Sequence, residues 1–233
     1  VSVGREIPMV FLNHAQHRKE DFGKTYNAKI FKQAAERLEE VCDVKITDEN
    51  LKKAFEVYNE NRALKREFVK LCGDYSQTIK ASDRCNVLKA SHHMLKDEHN
   101  KMLKELIEAL KAMPKEECKG PRVVTSGIIT DNPALLEVLD NFNICVVADD
   151  VAAESRGFKV DVDTSIEDPY MALADQFARM DEDPILYDPD IWKRPKYVVD
   201  LAVDNDADGC LVFMMTFNDT EEMEYPSLKQ AYE

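Results

Sequence analysis

Three short segments hold most of the side chains that could do chemistry. They are Ser126-Gly127-Ile128-Ile129-Thr130-Asp131, Asp149-Asp150-Val151-Ala152-Ala153-Glu154-Ser155-Arg156 and Phe217-Asn218-Asp219-Thr220-Glu221-Glu222. Each follows an apolar run that reads as a β-strand. In an open α/β sheet, ligands bind beyond the carboxyl ends of the strands. That rule makes Ser126, Gly127, Asp149, Asp150, Glu154, Arg156 and Asn218 the candidate site residues. The competing reading is local: Asp, Asn, Ser and Gly often cap helices and make turns, and Arg156 with Glu154 could be a plain ion pair.

Other motifs are missing. No G-x-G-x-x-G follows a strand, and there is no phosphate loop of the G-x-x-x-x-G-K-[ST] kind. No G-x-S-x-G elbow is present. His92, His93 and His99 cluster in sequence, but no zinc motif surrounds them, so a solvated or packed helix face is the expectation. His14 and His17 follow an apolar stretch and have no partner in sequence. Six cysteines are scattered without a C-x-x-C pair. Buried or reduced thiols are expected of them, rather than a disulfide framework or a zinc finger.

Charge narrows the partners. Lys and Arg total 31 against 45 Asp and Glu, a net charge of −14. Phosphate backbones and anionic membranes need a basic face, so neither nucleic acid nor membrane is an expected partner. No apolar run approaches the ~20 residues that span a bilayer.

The elements that must position these residues fall into two halves. Helical stripes run over residues 24–40, over 48–72 after Thr47 as N-cap, and over one long helix from Ser82 to Met113. From Pro121 onward the pattern alternates. Val123-Val124-Thr125, Ile144-Cys145-Val146-Val147-Ala148 and Cys210 to Phe217 read as strands. Asn132-Pro133 and Asp168-Pro169 start helices, and a further helix covers Lys196 to Val203. Strands apolar on both faces, alternating with helices, predict a doubly wound parallel sheet. The expected domains are 1–20 (the end of an α/β domain), 21–115 (helical) and 116–233 (a second α/β domain). Met9-Val10-Phe11-Leu12 reads as a strand, and Tyr225 to Glu233 as a helix start. Both ends look cut, so an internal piece of a longer protein is expected.

Several segments carry a resemblance in the right order over nearly the whole chain. They include Phe11-Leu12-Asn13-His14-Ala15-Gln16-His17-Arg18-Lys19, Val57-Tyr58-Asn59-Glu60-Asn61-Arg62 and Met94-Leu95-Lys96-Asp97-Glu98-His99. Val124-Thr125-Ser126-Gly127-Ile128-Ile129, the Ala148 to Arg156 run and Glu221-Glu222-Met223-Glu224-Tyr225-Pro226 continue it. The chain resembles the 2-hydroxyacyl-CoA dehydratase family, and its β subunits in particular. The resemblance implies an α/β fold with a helical segment followed by an incomplete flavodoxin-like domain. It implies a cytoplasmic hydro-lyase that converts (R)-2-hydroxyacyl-CoA to enoyl-CoA through a ketyl radical. Its implied partners are a homologous α subunit, which binds most of the CoA thioester, and an ATP-dependent iron–sulfur activator. The β subunit would relay an electron through a 4Fe-4S cluster, with the Ser126-Gly127 turn and its neighbouring loops close to it.

Position 218 departs from that pattern. The family places a cluster cysteine in a Phe-Cys-Asp-Pro-Glu-Glu segment, where this chain has Phe217-Asn218-Asp219-Thr220-Glu221-Glu222. An amide is a poor substitute for a soft thiolate on iron. The chain as written is therefore expected not to hold the cluster, and to be inactive alone. Two other readings stay open: a cluster-less relative serving as a partner subunit, and a benzoyl-CoA-reductase-like subunit.

Overall fold

A computed structural model describes residues 8–180 and 192–233. These residues form two compact units, one from 8–56 and 161–180, the other from 57–160 and 192–233.

The first unit pairs α1 (Asp21–Cys42) with α7 (Pro169–Arg179) and includes the first turns of α2 (Asp48–Cys72). Asp168 caps α7 through its side chain, accepting from the amides of Tyr170 and Met171, with Pro169 at the first helical position. Thr47 accepts from the Asn50 amide at 3.2 Å, as an N-cap does. Phe55, Val162 and Ala172 form a small apolar centre. Phe177 gathers a ring of contacts, with His14 edge-on at 5.2 Å and the Arg18 guanidinium 4.2 Å above it. His14 is thus a packing residue here. The expected strand at Met9–Leu12 does not form: Met9 and Phe11 are 77% and 78% exposed. A strand needs a partner for its backbone, and none of the described strands pairs with it.

The second unit holds the sheet. Strands β1 (Arg122–Gly127), β2 (Cys145–Val151) and β3 (Gly209–Phe213) lie in the order β2-β1-β3, all parallel. Helices cover both faces, as the alternating pattern predicts. On one face, α3 (Ala81–Ala90) and α5 (Pro133–Asn141) bury Ala81, Cys85, Leu136 and Leu139 against Val123 and Val146. On the other, α8 (Lys193–Asp204) and α9 (Asp219–Tyr232) bury Val198, Ala202 and Leu228 against Val124. Asn132 caps α5 by accepting from the amides of Ala134 and Leu135. A third cluster joins α2, α4 (Lys96–Lys111) and the short α6 (Ser155–Phe158) around Phe68, Leu103, Leu110 and Phe158.

Four sequence expectations change. The long helix from Ser82 to Met113 is two helices, α3 and α4, broken over residues 91–95. Ser91 is fully buried there, its hydroxyl donates to the Leu88 carbonyl, and the Lys96 ammonium takes the Ser91 carbonyl. The last helix begins at Asp219 rather than near Tyr225, with Pro226 inside it. The strand expected to reach Phe217 stops at Phe213, and Met214–Phe217 is exposed. Two of the six cysteines, Cys118 and Cys145, form a disulfide across 27 residues, while Cys42, Cys72, Cys85 and Cys210 are free. The pairing follows from the fold. The segment before β1 runs beside the start of β2, where the Cys145 amide donates to the Pro121 carbonyl at 2.8 Å.

His92 and His99 do not share a helix face, because the break separates them. His99 is buried and accepts from Asn61 at Nδ1 (2.8 Å), while Nε2 faces the Val87 carbonyl at 3.1 Å. That arrangement suits the neutral ring. Burial pushes its pKa down and Lys65 and Lys96 act the same way, against the Val87 bond. The unfolded chain therefore takes up a proton near pH 6.5 that the folded chain refuses. Stability is expected to fall as pH drops through 6.5, and His99→Gln to flatten that slope. Urea unfolding at pH 7.5, 6.5 and 5.5 measures it; equal slopes in both proteins would contradict the assignment.

Candidate functional site

Successive side chains on a strand point to opposite faces. Asp149 and Asp150, adjacent near the end of β2, therefore face different helical layers, and each meets an arginine from its own layer.

On the α3 side, Arg84 lies between two carboxylates. Its Nη2 pairs with Asp149 and its Nη1 with Glu154. The three side chains are 5%, 0% and 6% exposed. Asp149 also accepts from the Ser155 hydroxyl, from the Val151 amide at 3.1 Å and from the Ser155 amide at 3.0 Å. Glu154 accepts from the Thr130 hydroxyl. Burial holds the Asp149 carboxyl above the usual carboxylate range; the Arg84 charge offsets only part of that rise, and the neighbouring Glu154 adds to it. Burial also works against the Arg84 charge, but Glu154 and Asp149 outweigh it and keep the guanidinium protonated.

On the α8 side, Asp150 accepts from two guanidinium groups. Arg194 Nε donates at 2.7 Å, and Arg156 donates from Nε and Nη2, both at 3.0 Å. Arg194 also donates from Nη2 to the Ser126 hydroxyl at 3.2 Å, and from Nη1 it pairs with Glu224 on α9. One guanidinium so ties α8, α9, β1 and β2 together. Arg156 pairs with Asp150, not with Glu154 as the local reading has it.

Gly127 closes β1 at φ +149°. A Cβ there would meet the Phe213 carbonyl oxygen at 2.6 Å, so only glycine lets β1 and β3 approach at this end. Asn218 is the N-cap of α9, without a side-chain capping bond, and its Nδ2 is buried without a partner. Both carboxylate oxygens of Glu221, one turn on, are buried and unpartnered as well.

Of the candidate residues, Ser126, Asp149, Asp150, Glu154 and Arg156 thus enter two charge networks at the strand ends. Gly127 shapes the same edge, and Asn218 bonds to neither network. Arg84, Arg194, Glu224, Thr130 and Ser155 complete the networks and were not singled out in sequence. Arg84 sits in a helix with no motif around it, and its partners are 65 and 70 residues away.

The donor set does not suit an iron–sulfur cluster. The edge offers carboxylates, guanidinium groups, hydroxyls and an amide, but no thiolate. Among the described residues no three His, Cys, Asp or Glu side chains come together to hold a metal ion. Burial pushes the free thiols of Cys72 to about 12, and of Cys85 and Cys210 to about 11. They are poor thiolate donors as they stand.

The family model for the D-component of 2-hydroxyglutaryl-CoA dehydratase matches residues 2–233. The chain belongs to this family. It is 41% identical to the β subunit of (R)-2-hydroxyglutaryl-CoA dehydratase from Acidaminococcus fermentans over 233 residues, 99% of this chain and 62% of the relative. It is 38% identical to the (R)-phenyllactyl-CoA dehydratase β subunit of Clostridium sporogenes, over 94% of this chain and 58% of that one. It is 34% identical to the lactoyl-CoA dehydratase β subunit of Anaerotignum propionicum, over 97% and 60%. The chain therefore spans about 60% of the length of these dehydratase relatives. Among the described residues no helix is long and apolar enough to cross a membrane.

Removing Arg84 strands two buried carboxylates. Arg84→Met is expected to cost about 3–5 kcal/mol in urea unfolding, the usual penalty for breaking a buried ion pair from one side. Adding Asp149→Asn and Glu154→Gln should recover more than half of it, because the uncompensated charge goes too. A loss under about 1 kcal/mol, or no recovery, would show that the network contributes little.

Proposed function

We propose that this chain is part of a β-type subunit of a 2-hydroxyacyl-CoA dehydratase, a lyase that eliminates water from an (R)-2-hydroxyacyl-CoA to give an enoyl-CoA. One observation carries the reading: nearly the whole chain aligns, at 34–41% identity, with three β subunits whose names share that substrate class. The reading brings a homologous α subunit as partner and a cytoplasmic location.

The chemistry is demanding. The C3 proton lies β to the thioester carbonyl and is not acidic, so a simple base cannot start the elimination. The proposal therefore includes one-electron activation of the thioester, with an ATP-dependent activator as the electron source. No electron-transfer step is assigned to the described residues. Their role is structural support of the reaction edge. Asp149 and Asp150, each bound to an arginine from a different helical layer, fix the end of β2. Glu154 and Arg156 hold the loop that follows, Ser126 and Gly127 hold the end of β1, and Asn218 begins the helix after β3.

The test is anaerobic reconstitution of the full-length polypeptide with a homologous α subunit, activator and ATP. Enoyl-CoA is read by mass spectrometry from 2-hydroxyglutaryl-, phenyllactyl- and lactoyl-CoA, with benzoyl-CoA alongside. Enoyl-CoA from at least one 2-hydroxyacyl-CoA is expected, and none from the 233-residue chain alone. An assembled complex that leaves all three unchanged, or reduces benzoyl-CoA instead, would overturn the proposal.

A further inference from the structure

The connection between α4 and β1 is fixed at two places by ordinary packing, and between them by a covalent bond. Upstream, the Glu116 amide donates to the Asp74 carbonyl at 2.8 Å. The Glu116 carboxylate accepts from the amides of Gln77 and Thr78 at 2.7 and 3.0 Å, and from the Thr78 hydroxyl. Lys115 pairs with Asp74 at 2.7 Å. Downstream, the Cys145 amide donates to the Pro121 carbonyl at 2.8 Å. A Cβ at Gly120 would meet the Asn143 carbonyl oxygen at 2.1 Å, so the two backbones rest directly on each other there. Glu117, Cys118 and Lys119 lie between these fixed points. The disulfide from Cys118 to Cys145 ties the middle of that span to the start of β2, while Glu117 and Lys119 are exposed.

The two sulfurs differ in access. Cys145 is 3% exposed, whereas Cys118 is only half-buried. A small thiolate from solution can therefore reach the Cys118 sulfur, and the Cys145 sulfur is the one that leaves. Neither fixed point uses a sulfur. With the bond open, Gly120 still rests on Asn143 and Pro121 still accepts from Cys145, so the two thiols stay neighbours. Closure is then intramolecular and runs at a high effective concentration. A pair that is opened from outside and recloses from within exchanges reversibly. Cys72 and Cys85 have no such access: both are buried, and burial pushes their thiols to about 12 and about 11, so they exchange poorly.

We infer that Cys118 and Cys145 form a thiol–disulfide switch, which pins residues 117–119 to the start of β2 when oxidised and releases them when reduced. Its exchange partners are small thiols and disulfides of the glutathione type. On opening, an external thiolate attacks Cys118 Sγ, the bond between the two protein sulfurs breaks, and Cys145 leaves as a thiolate that takes up a proton. A second external thiol then attacks the mixed disulfide and releases Cys118 as a thiol. The net change is one protein disulfide and two small thiols to two protein thiols and one small disulfide. Closure runs the same steps backward, with the small disulfide as oxidant. The inference stands on the fold of the second unit and does not depend on the dehydratase reading.

The test equilibrates the 233-residue chain in glutathione buffers from fully reduced to fully oxidised, quenches in acid, alkylates the free thiols and maps each cysteine by mass spectrometry. Cys118 and Cys145 are expected to pass together from alkylated to protected across the series, and back again when the ratio is reversed, while Cys72 and Cys85 stay alkylated throughout. After glutathione is removed under argon, brief trypsin digestion reads the released segment. Cleavage after Lys119 should be at least about fivefold faster in the reduced chain, since it needs local opening of residues 117–119. Cys118→Ser in oxidising buffer should be cut at the reduced rate, and Cys210→Ser at the oxidised rate. Reduction should lower the Tm by about 5 °C, because the bond closes a long loop in the unfolded chain. Should the serine variants not fold, the reduced and oxidised wild type still decide the matter. No pairing of Cys118 with Cys145 in oxidised glutathione would overturn the inference. So would a pair that stays closed in reduced glutathione, which is a permanent staple, or equal cleavage after Lys119 in both states.

Discussion

The Arg84 guanidinium between Asp149 and Glu154 is the contact on which the functional edge depends. All three groups have left water, and each loses several kcal/mol of solvation in doing so. The loss is tolerable because both carboxylates are richly bonded, although Arg84 Nε is buried without a partner. Asp149 receives the guanidinium, a hydroxyl and two backbone amides, and Glu154 receives the guanidinium and the Thr130 hydroxyl. Buried ion pairs add little stability over apolar residues of the same size. What they do well is penalise every alternative arrangement, since a shift by one residue would strand a charge.

The same logic repeats on the opposite face with Arg194. Its three partners come from β1, β2 and α9, so the end of the sheet is held from both layers by hydrogen bonds of fixed direction. The apolar layers beneath set how closely helices approach, but apolar contacts are non-directional. The guanidinium forks set the register in which they do so. Gly127 adds the third constraint by allowing β1 and β3 to close where a side chain would hold them apart.

Local signals in the sequence were legible because their physics is local. Asn132-Pro133 and Asp168-Pro169 start helices with a side chain only two or three residues from the amides it accepts. The β-branched runs give the parallel strands β1 and β2, buried on both faces, while β3 is half-buried. The helix break at residues 91–95 was not legible: no Gly or Pro marks it, and the apolar stripe passes through Leu88 and Leu95. Leu95 proves to be 67% exposed, and the break is stabilised by burial of Ser91 and by Lys96. The candidate site was half legible. The carboxylates and Ser126 stand at strand ends, where topology directs attention. Arg84 and Arg194 lie 44 to 70 residues from them in chain order, beyond any pattern of spacing. The Cys118–Cys145 pair was hidden for the same reason.

The most direct measurement of the central claim is native-state hydrogen exchange at the Val151 and Ser155 amides, which both donate to Asp149 Oδ1. Both lie at the end of a strand or in the loop after it, where exchange through local opening is the ordinary expectation. If the buried guanidinium–carboxylate network fixes this edge, both amides exchange only through global unfolding, with the same free energy as the central strand residue Val124. Exchange at rates typical of the exposed Met214–Phe217 segment would contradict the account.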